Sequence, residues 1–322
     1  MRKILVTGAL GQIGSELTLK LREIYGDKNV VATARRKKEG HEELIETGPF
    51  EILDINDGNR ALDIVRKYRI NTIINLAAIL SAVGEKDPLT CWDINMNGLI
   101  NILEIGRSEN CQIFTPSSIA VFGEDTPADN TPQTTIQRPS TIYGVTKVAG
   151  ELICDYYYKK YKVDTRGVRF PGLISYKTLP GGGTTDYAVH IYYDAIKYER
   201  YTSFIDKGTK MDMMYMPDAL DAIINLMEAD GDRLLHRNAY NVTAMSLDPE
   251  SIGQSIKKII PNFQLDYKVD PLRQQIAESW PNSLDDSAAR DEWGWKPKYD
   301  LDSMTKDMLE KLSEKIGIKS LG

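Results

Sequence analysis

Tyr143 and Lys147 stand four residues apart in Tyr143-Gly144-Val145-Thr146-Lys147, a spacing that puts a phenol and an ammonium on one face of a helix. A phenol with an ordinary pKa of about 10 is a poor base at neutral pH, and an adjacent cation stabilises its phenolate. The pair therefore reads as an acid–base couple for moving a hydroxyl proton. Spacing alone does not single it out, because Tyr156/Lys160, Tyr158/Lys162 and Tyr193/Lys197 share it. Only Tyr143/Lys147 follows, at roughly 25 residues, a serine-rich strand end, Phe114-Thr115-Pro116-Ser117-Ser118.

A second constellation sits at the start of the chain. Thr7-Gly8-Ala9-Leu10-Gly11-Gln12-Ile13-Gly14 joins an apolar strand pattern to an amphipathic helix pattern. Glycines there permit a tight turn and let a pyrophosphate reach backbone N–H groups at the helix start. The spacing is G-x-x-G-x-x-G, a variant of the usual dinucleotide fingerprint. In that fingerprint an acid about 20 positions past the last glycine accepts from the adenosine ribose hydroxyls of NAD. Counting from Gly14 lands on Ala34, followed by Arg35-Arg36-Lys37-Lys38. An alanine leaves room for a 2′-phosphate and a guanidinium can hold it, so the sequence predicts NADP, with Arg35 and Arg36 as its partners and NAD as the alternative. Lys37 and Lys38 read as solvated turn residues.

These residues need a scaffold. Apolar runs such as Ile4-Leu5-Val6, Val30-Val31-Ala32, Ile73-Ile74 and Ile113-Phe114 are separated by segments of helical periodicity, for example Ile13, Leu17, Leu21 and Ile24. Continuously apolar strands alternating with helices predict an α/β fold, a doubly wound parallel sheet of Rossmann type. Past Phe170 the alternation weakens and prolines punctuate shorter elements. We therefore expect a dinucleotide-binding domain over 1–172 and a smaller α/β substrate lobe over 173–322, with some of its segments returning to the first core. Met304, Met308 and Leu312 share one helical face and read as core packing.

Composition narrows the class. The 322 residues hold 40 Lys and Arg against 46 Asp and Glu, a formal charge of −6 that argues against general affinity for nucleic acid or an anionic membrane. Cys91, Cys111 and Cys154 are isolated and lack metal-ligand spacing, so no metal is expected. No apolar run approaches the length of a membrane span, and a cytoplasmic protein is the expectation.

In chain order the sequence carries the glycine turn, Asn75-Leu76-Ala77-Ala78, Asp93-Ile94-Asn95-Met96-Asn97-Gly98, the Ser-Ser strand end, Tyr143/Lys147 and Arg169-Phe170-Pro171-Gly172. This series resembles the extended short-chain dehydrogenase/reductase superfamily. Within it, three stretches are similar to the L-threonine 3-dehydrogenases: Ala77 to Glu85, Leu179 to Ala188 and Ser279 to Ser287. The departure from that family is Ala34, where an NAD-selecting acid is usual.

The resemblance implies roles. Tyr143 would take the proton of a threonine β-hydroxyl, Lys147 would hold the nicotinamide ribose, and Ser118 would hydrogen-bond the reacting oxygen. Cofactor contacts would come from Gly8, Gly11, Gln12, Ile13, Gly14, Asp54, Ile55, Leu76, Ala77, Ala78, Asn95 and Pro171. Substrate contacts would come from Ser81, Ser117, Ser118, Tyr143, Gly182, Gly183, Thr184 and Thr185, with Trp280 closing over the methyl group. Tyr156, Tyr157 and Tyr158 resemble the helix through which such enzymes form homodimers. Two other readings stay open: a nucleotide-sugar epimerase or dehydratase of the same superfamily, which would need cations for a diphosphate, and a non-catalytic cofactor sensor.

Overall fold

A computed structural model describes residues 3–178 and 183–318, so Leu179 to Gly182 of the predicted substrate loop lie outside the described residues. The chain divides into two compact units: 1–121, 139–169 and 220–240 form one, and 122–138, 170–219 and 241–322 form the other.

The first unit begins with strand β1 (Ile4–Thr7), helix α1 (Gln12–Tyr25), β2 (Val30–Ala34), the short α2 (Glu42–Glu46), β3 (Phe50–Ile52), α3 (Gly58–Tyr68) and β4 (Thr72–Asn75). It continues through α4 (Ser81–Gly84), α5 (Pro88–Trp92), a π-turn over Asp93–Asn97, α6 (Gly98–Glu109), β5 (Gln112–Phe114), β6 (Ser117–Ser118), α7 (Ile142–Tyr161) and β7 (Thr165–Arg166). Six strands form one sheet in the order β3-β2-β1-β4-β5-β7, with neighbouring strands parallel. The order reverses direction at β1/β4, the switch point at which open α/β sheets bind nucleotides outside the strands' carboxyl ends. Leu5, Val31, Ile73 and Ile113 pack from the strands against Ile64, Leu103 and Tyr157 of the helices. This is the doubly wound sheet that continuous apolar runs predict.

One glycine departs from ordinary backbone where the chain leaves β1. Gly8 adopts φ +64°, and a Cβ there would come 2.8 Å from the backbone carbonyl of Leu76 at the end of β4. Any other side chain would strain the turn and part the two strand tips. Thr7 ties those tips from the other side: its hydroxyl donates to Asn75 Oδ1 at 2.7 Å and accepts from the amides of Leu76 and Ala77, both at 3.2 Å.

The remaining elements, in chain order, are β8 (Val168–Phe170), β9 (Gly172–Ile174), α8 (Tyr187–Tyr198), β10 (Arg200–Ser203), β11 (Met211–Tyr215), α9 (Met216–Glu228), β12 (Tyr240–Asn241), β13 (Met245–Leu247), α10 (Pro249–Lys257), β14 (Gln264–Tyr267), α11 (Pro271–Glu278), α12 (Ser287–Trp293) and α13 (Leu301–Ile316). In the second unit β9 pairs parallel with β11, which pairs antiparallel with β13, while β10 and β14 form a separate parallel pair. Its core joins Tyr187, Ile191 and Tyr192 of α8 to Met304, Met308 and Leu312 of α13, all buried. The methionine stripe is thus core. Among the described residues no helix is long and apolar enough to cross a membrane, and no cluster of side chains suits a metal ion.

Candidate active site

The glycine turn shapes a cradle at the start of α1. The helix opens on Gly11, with no side chain capping its first amides, and a Cβ on Gly14 would lie 2.3 Å from the Gly8 carbonyl oxygen. Backbone N–H groups and the positive end of the helix dipole therefore present themselves without side-chain cover, an arrangement that suits a pyrophosphate. The residues present fit the phosphates of a dinucleotide.

Around this cradle the predicted cofactor residues distribute as follows. Leu76, Ala77 and Ala78 follow β4 and are half-buried. Asp54 is exposed after β3, whereas Ile55 turns inward and packs on Gly98 within the core, so its side chain offers no open adenine contact. Ala34 closes β2, and Arg35 and Arg36 project beyond it, exposed and without an ion-pair partner among the described residues. Asn95 sits in the π-turn with its amide already engaged: Nδ2 donates to the Ile79 carbonyl at 3.0 Å and to Thr146 Oγ1 at 3.1 Å, and Oδ1 accepts from the Ile79 amide at 2.8 Å. It holds the segment after β4 to α7. Pro171 is buried in the second unit, between β8 and β9.

The catalytic candidates come together on the N-terminal half of α7. Thr141 caps that helix, accepting from Gly144 N–H at 3.1 Å. A Cβ on Gly144 would lie 2.2 Å from the Ala120 carbonyl oxygen, so this glycine lets the helix press directly on the turn after β6. That contact brings the Ser-Ser strand end within reach of the phenol. Ser118 lies close enough to Tyr143 to oppose the rise in its pKa, and its Oγ accepts from Ala120 N–H at 3.2 Å. Lys147 Nζ donates to the Pro116 carbonyl at 2.8 Å and lies 5.4 Å from the centre of the Tyr143 ring.

Electrostatically the cluster departs from the simple expectation that the ammonium depresses the phenol. Burial pushes Tyr143 up to about 12, with the Ser118 hydrogen bond opposing it. Burial also pulls Lys147 down to about 8, partly offset by the negative charge of Glu151. Desolvation outweighs the attraction because the charged form of each group loses water on the same helix face.

Ser117 behaves differently from its neighbour. Its hydroxyl donates to Glu151 Oε1 at 2.5 Å, and the residue is 6% exposed, so the predicted substrate contact is turned into the protein. Glu151 in turn receives Arg169 through Nε at 3.0 Å and Nη2 at 2.8 Å. A cavity of about 30 Å³ borders Lys147, Ser117 and Glu151. Sequence reasoning missed Glu151; its place four residues after Lys147 was the available signal.

Ser81 begins α4 in the first unit, half-buried. In the second unit Gly183 N–H donates to Asp186 Oδ2 at 2.5 Å, folding Thr184–Asp186 into a 3₁₀ turn with Thr184 buried and Thr185 half-buried. Gly182 lies outside the described residues. Trp280 is half-buried against the second unit's core. Of the three predicted interface tyrosines only Tyr156 is exposed. Tyr157 is buried and donates to Glu104 at 2.5 Å, while Tyr158 lies beneath the Arg237 guanidinium, 4.0 Å from ring to Cζ.

This fold and cluster define a nicotinamide-dependent enzyme working at a CH–OH group. The chain belongs to the NAD-dependent epimerase/dehydratase family, which it matches over residues 4–243. A curated relative from Staphylococcus aureus, described as an uncharacterized epimerase/dehydratase, is 58% identical over 99% of both chains. Among solved structures, the L-threonine dehydrogenase of Clostridium difficile is 66% identical over 98% of both chains, with TM-score 0.96. The L-threonine 3-dehydrogenase of Trypanosoma brucei is 41% identical over 99% of both chains, with TM-score 0.95.

Proposed function

We propose that this protein is an L-threonine 3-dehydrogenase that oxidises the β-hydroxyl of L-threonine to give 2-amino-3-oxobutanoate. The observation that carries the reading is the half-buried Ser118–Tyr143–Lys147 cluster, in a chain whose likeness to L-threonine dehydrogenases runs through both units. Tyr143 accepts the hydroxyl proton, and Ser118 holds the reacting oxygen beside the phenol. Lys147 keeps a positive charge near the developing phenolate and binds the nicotinamide ribose. A bound nicotinamide ring supplies the acceptor for the hydride that leaves the same carbon. Thr184 and Thr185 supply hydroxyl donors to the substrate carboxylate, Ser81 adds a hydroxyl, and Trp280 covers the methyl group.

NADP is the preferred coenzyme in this reading, because Ala34 leaves space where an acid would exclude a 2′-phosphate and Arg35 and Arg36, beside it, have no ion-pair partner among the described residues. A homodimer is also proposed. Leu89 and Trp92 of α5, Ile100 of α6, and Val145, Leu152 and Tyr156 of α7 are exposed apolar side chains, and α7 packs on both of the other helices. Such side chains suit a self-complementary interface.

Coenzyme reduction measured with L-threonine and either NAD or NADP tests the activity. Turnover of a nucleotide sugar with no net coenzyme reduction, and none with threonine, would replace this reading with that of an epimerase.

A further inference from the structure

Three consecutive residues of the Ser-Ser strand end each meet a different residue of α7. Pro116 offers its carbonyl to Lys147 and Ser117 donates to Glu151, while Ser118 lies close enough to Tyr143 to act on its phenol. Residues 143, 147 and 151 recur every four positions and so line one face of the helix. Two of these contacts involve groups that the reaction must use. The middle one involves neither. Ser117 and Glu151 are 6% and 9% exposed, and Glu151 is paired on both oxygens by the buried Arg169.

A buried ion pair is weak evidence for stability, since desolving both charges offsets most of their attraction. What it does provide is a fixed point. A carboxylate held by two guanidinium hydrogen bonds cannot rotate, and a hydroxyl bonded to it takes one orientation. We propose that Glu151, clamped by Arg169, is the positioning residue that sets the register of strand residues 116–118 on α7, and so places Ser118 against Tyr143 and the Pro116 carbonyl against Lys147. The inference rests on the reading of Ser118, Tyr143 and Lys147 as the proton-transfer cluster. Neither Glu151 nor Ser117 touches substrate; both act through their neighbours. Ser117 and Ser118 are neighbours in the chain, so anchoring Ser117 restricts the backbone that carries Ser118.

The test uses two replacements in the full-length protein. Ser117→Ala removes the strand-to-helix link and leaves the ion pair intact. We expect kcat to fall roughly tenfold or more, because displacements near 1 Å cost that much in an aligned site, with the Michaelis constant for threonine within about threefold. Hydrogen exchange of the amides over 115–121 should quicken, a readout that needs no substrate. Glu151→Leu combined with Arg169→Leu removes the clamp and both charges together; kcat should fall about as far as in Ser117→Ala, with little further loss when Ser117→Ala is added, because the two changes break one contact. If the paired variant does not fold, Ser117→Ala decides alone. The proposal is overturned if Ser117→Ala leaves kcat unchanged, if its loss is carried by the threonine Michaelis constant, or if exchange over 115–121 is undisturbed. Should the unmodified protein fail to oxidise threonine, the functional reading falls while the exchange measurement still judges the positioning.

Discussion

Lys147 Nζ stands 5.4 Å from the centre of the Tyr143 ring, one helical turn along α7, and is itself bound to the Pro116 carbonyl. The two groups share a desolvated face and shift in opposite directions, the phenol up to about 12 and the ammonium down to about 8. At neutral pH the phenol therefore keeps its proton, while the ammonium is still mostly charged. Tyr143→Phe keeps the ring and removes the proton carrier, so turnover should drop by roughly 10² to 10⁴-fold, the range for loss of a general acid–base group. Coenzyme dissociation constants, measured by titration, should stay nearly unchanged. A variant retaining more than about a tenth of normal turnover would remove Tyr143 from the mechanism.

The same pair sets a pH dependence. The Tyr143 proton must be lost for it to act as a base, so kcat should climb as pH rises. Lys147 begins to lose its charge near pH 8, and the support it gives the phenolate fades there, so the climb should flatten around that value. Lys147→Arg replaces the ammonium with a group that stays protonated throughout the accessible range. Its kcat will be lower, but its profile should keep rising beyond pH 8. Identical profiles for the two proteins would mean that the flattening has another source.

Thr185 packs its methyl group close to Gly172, where a Cβ would meet Thr185 Cγ2 at 2.8 Å, and its hydroxyl is the part left to a ligand. Thr185→Ala should raise the Michaelis constant for threonine more than that for the coenzyme, by the equivalent of about 1.5 to 3 kcal/mol for one hydrogen bond to a charged group. Initial-rate measurements varying each substrate in turn decide it. Equal increases in both constants would assign the turn to the cofactor or to the fold.

Much of the first unit was legible because its strands are continuously apolar and its helices amphipathic, a pattern that few other architectures accommodate. The Tyr143/Lys147 pair was legible for a similar local reason, the four-residue spacing next to a serine-rich strand. What local pattern could not supply was direction. Nothing in the residue types says which of Ser117 and Ser118 is buried; Glu151 and Arg169 decide it from 34 and 52 positions away. Tyr156, Tyr157 and Tyr158 follow one another around a helix, so they could not all face one partner. Tyr157 is claimed by Glu104 and Tyr158 by Arg237, through contacts that have no local signature.

A buried carboxyl in the second unit yields a stability prediction. Asp212 on β11 is fully buried, accepts from Thr243 Oγ1 at 2.7 Å and lies near Asp286; burial, the largest effect, raises it to about 8 from an ordinary 3.8. Between those values the folded protein holds a proton that the unfolded chain has released. Stability from this group is therefore present at low pH and lost as pH rises through about 8, with a slope of at most about 1.4 kcal/mol per pH unit. Asp212→Asn keeps an acceptor for Thr243 and cannot ionise. Its melting temperature should fall less than that of the unmodified protein as pH rises over this window. Parallel curves would mean that Asp212 does not hold its proton.

The coenzyme choice turns on the end of β2. Ala34 is half-buried there, with its carbonyl accepting from Leu53 N–H at 3.0 Å, and no acid occupies the position that would accept from ribose hydroxyls. Arg35 follows it directly, exposed and without a partner among the described residues, so a phosphate could recruit it without breaking an existing ion pair. NADP should therefore be preferred over NAD. A charge-assisted phosphate contact is worth roughly 1.5 to 3 kcal/mol, or about one to two decades in kcat/KM. Ala34→Asp combined with Arg35→Ile should reverse the preference, since the aspartate accepts from both ribose hydroxyls and repels a 2′-phosphate. The measurement is the ratio of kcat/KM for the two coenzymes at saturating threonine. If the unmodified protein favours NAD by tenfold or more, Arg35 and Arg36 are surface charges, and the space beside Ala34 serves the ribose alone.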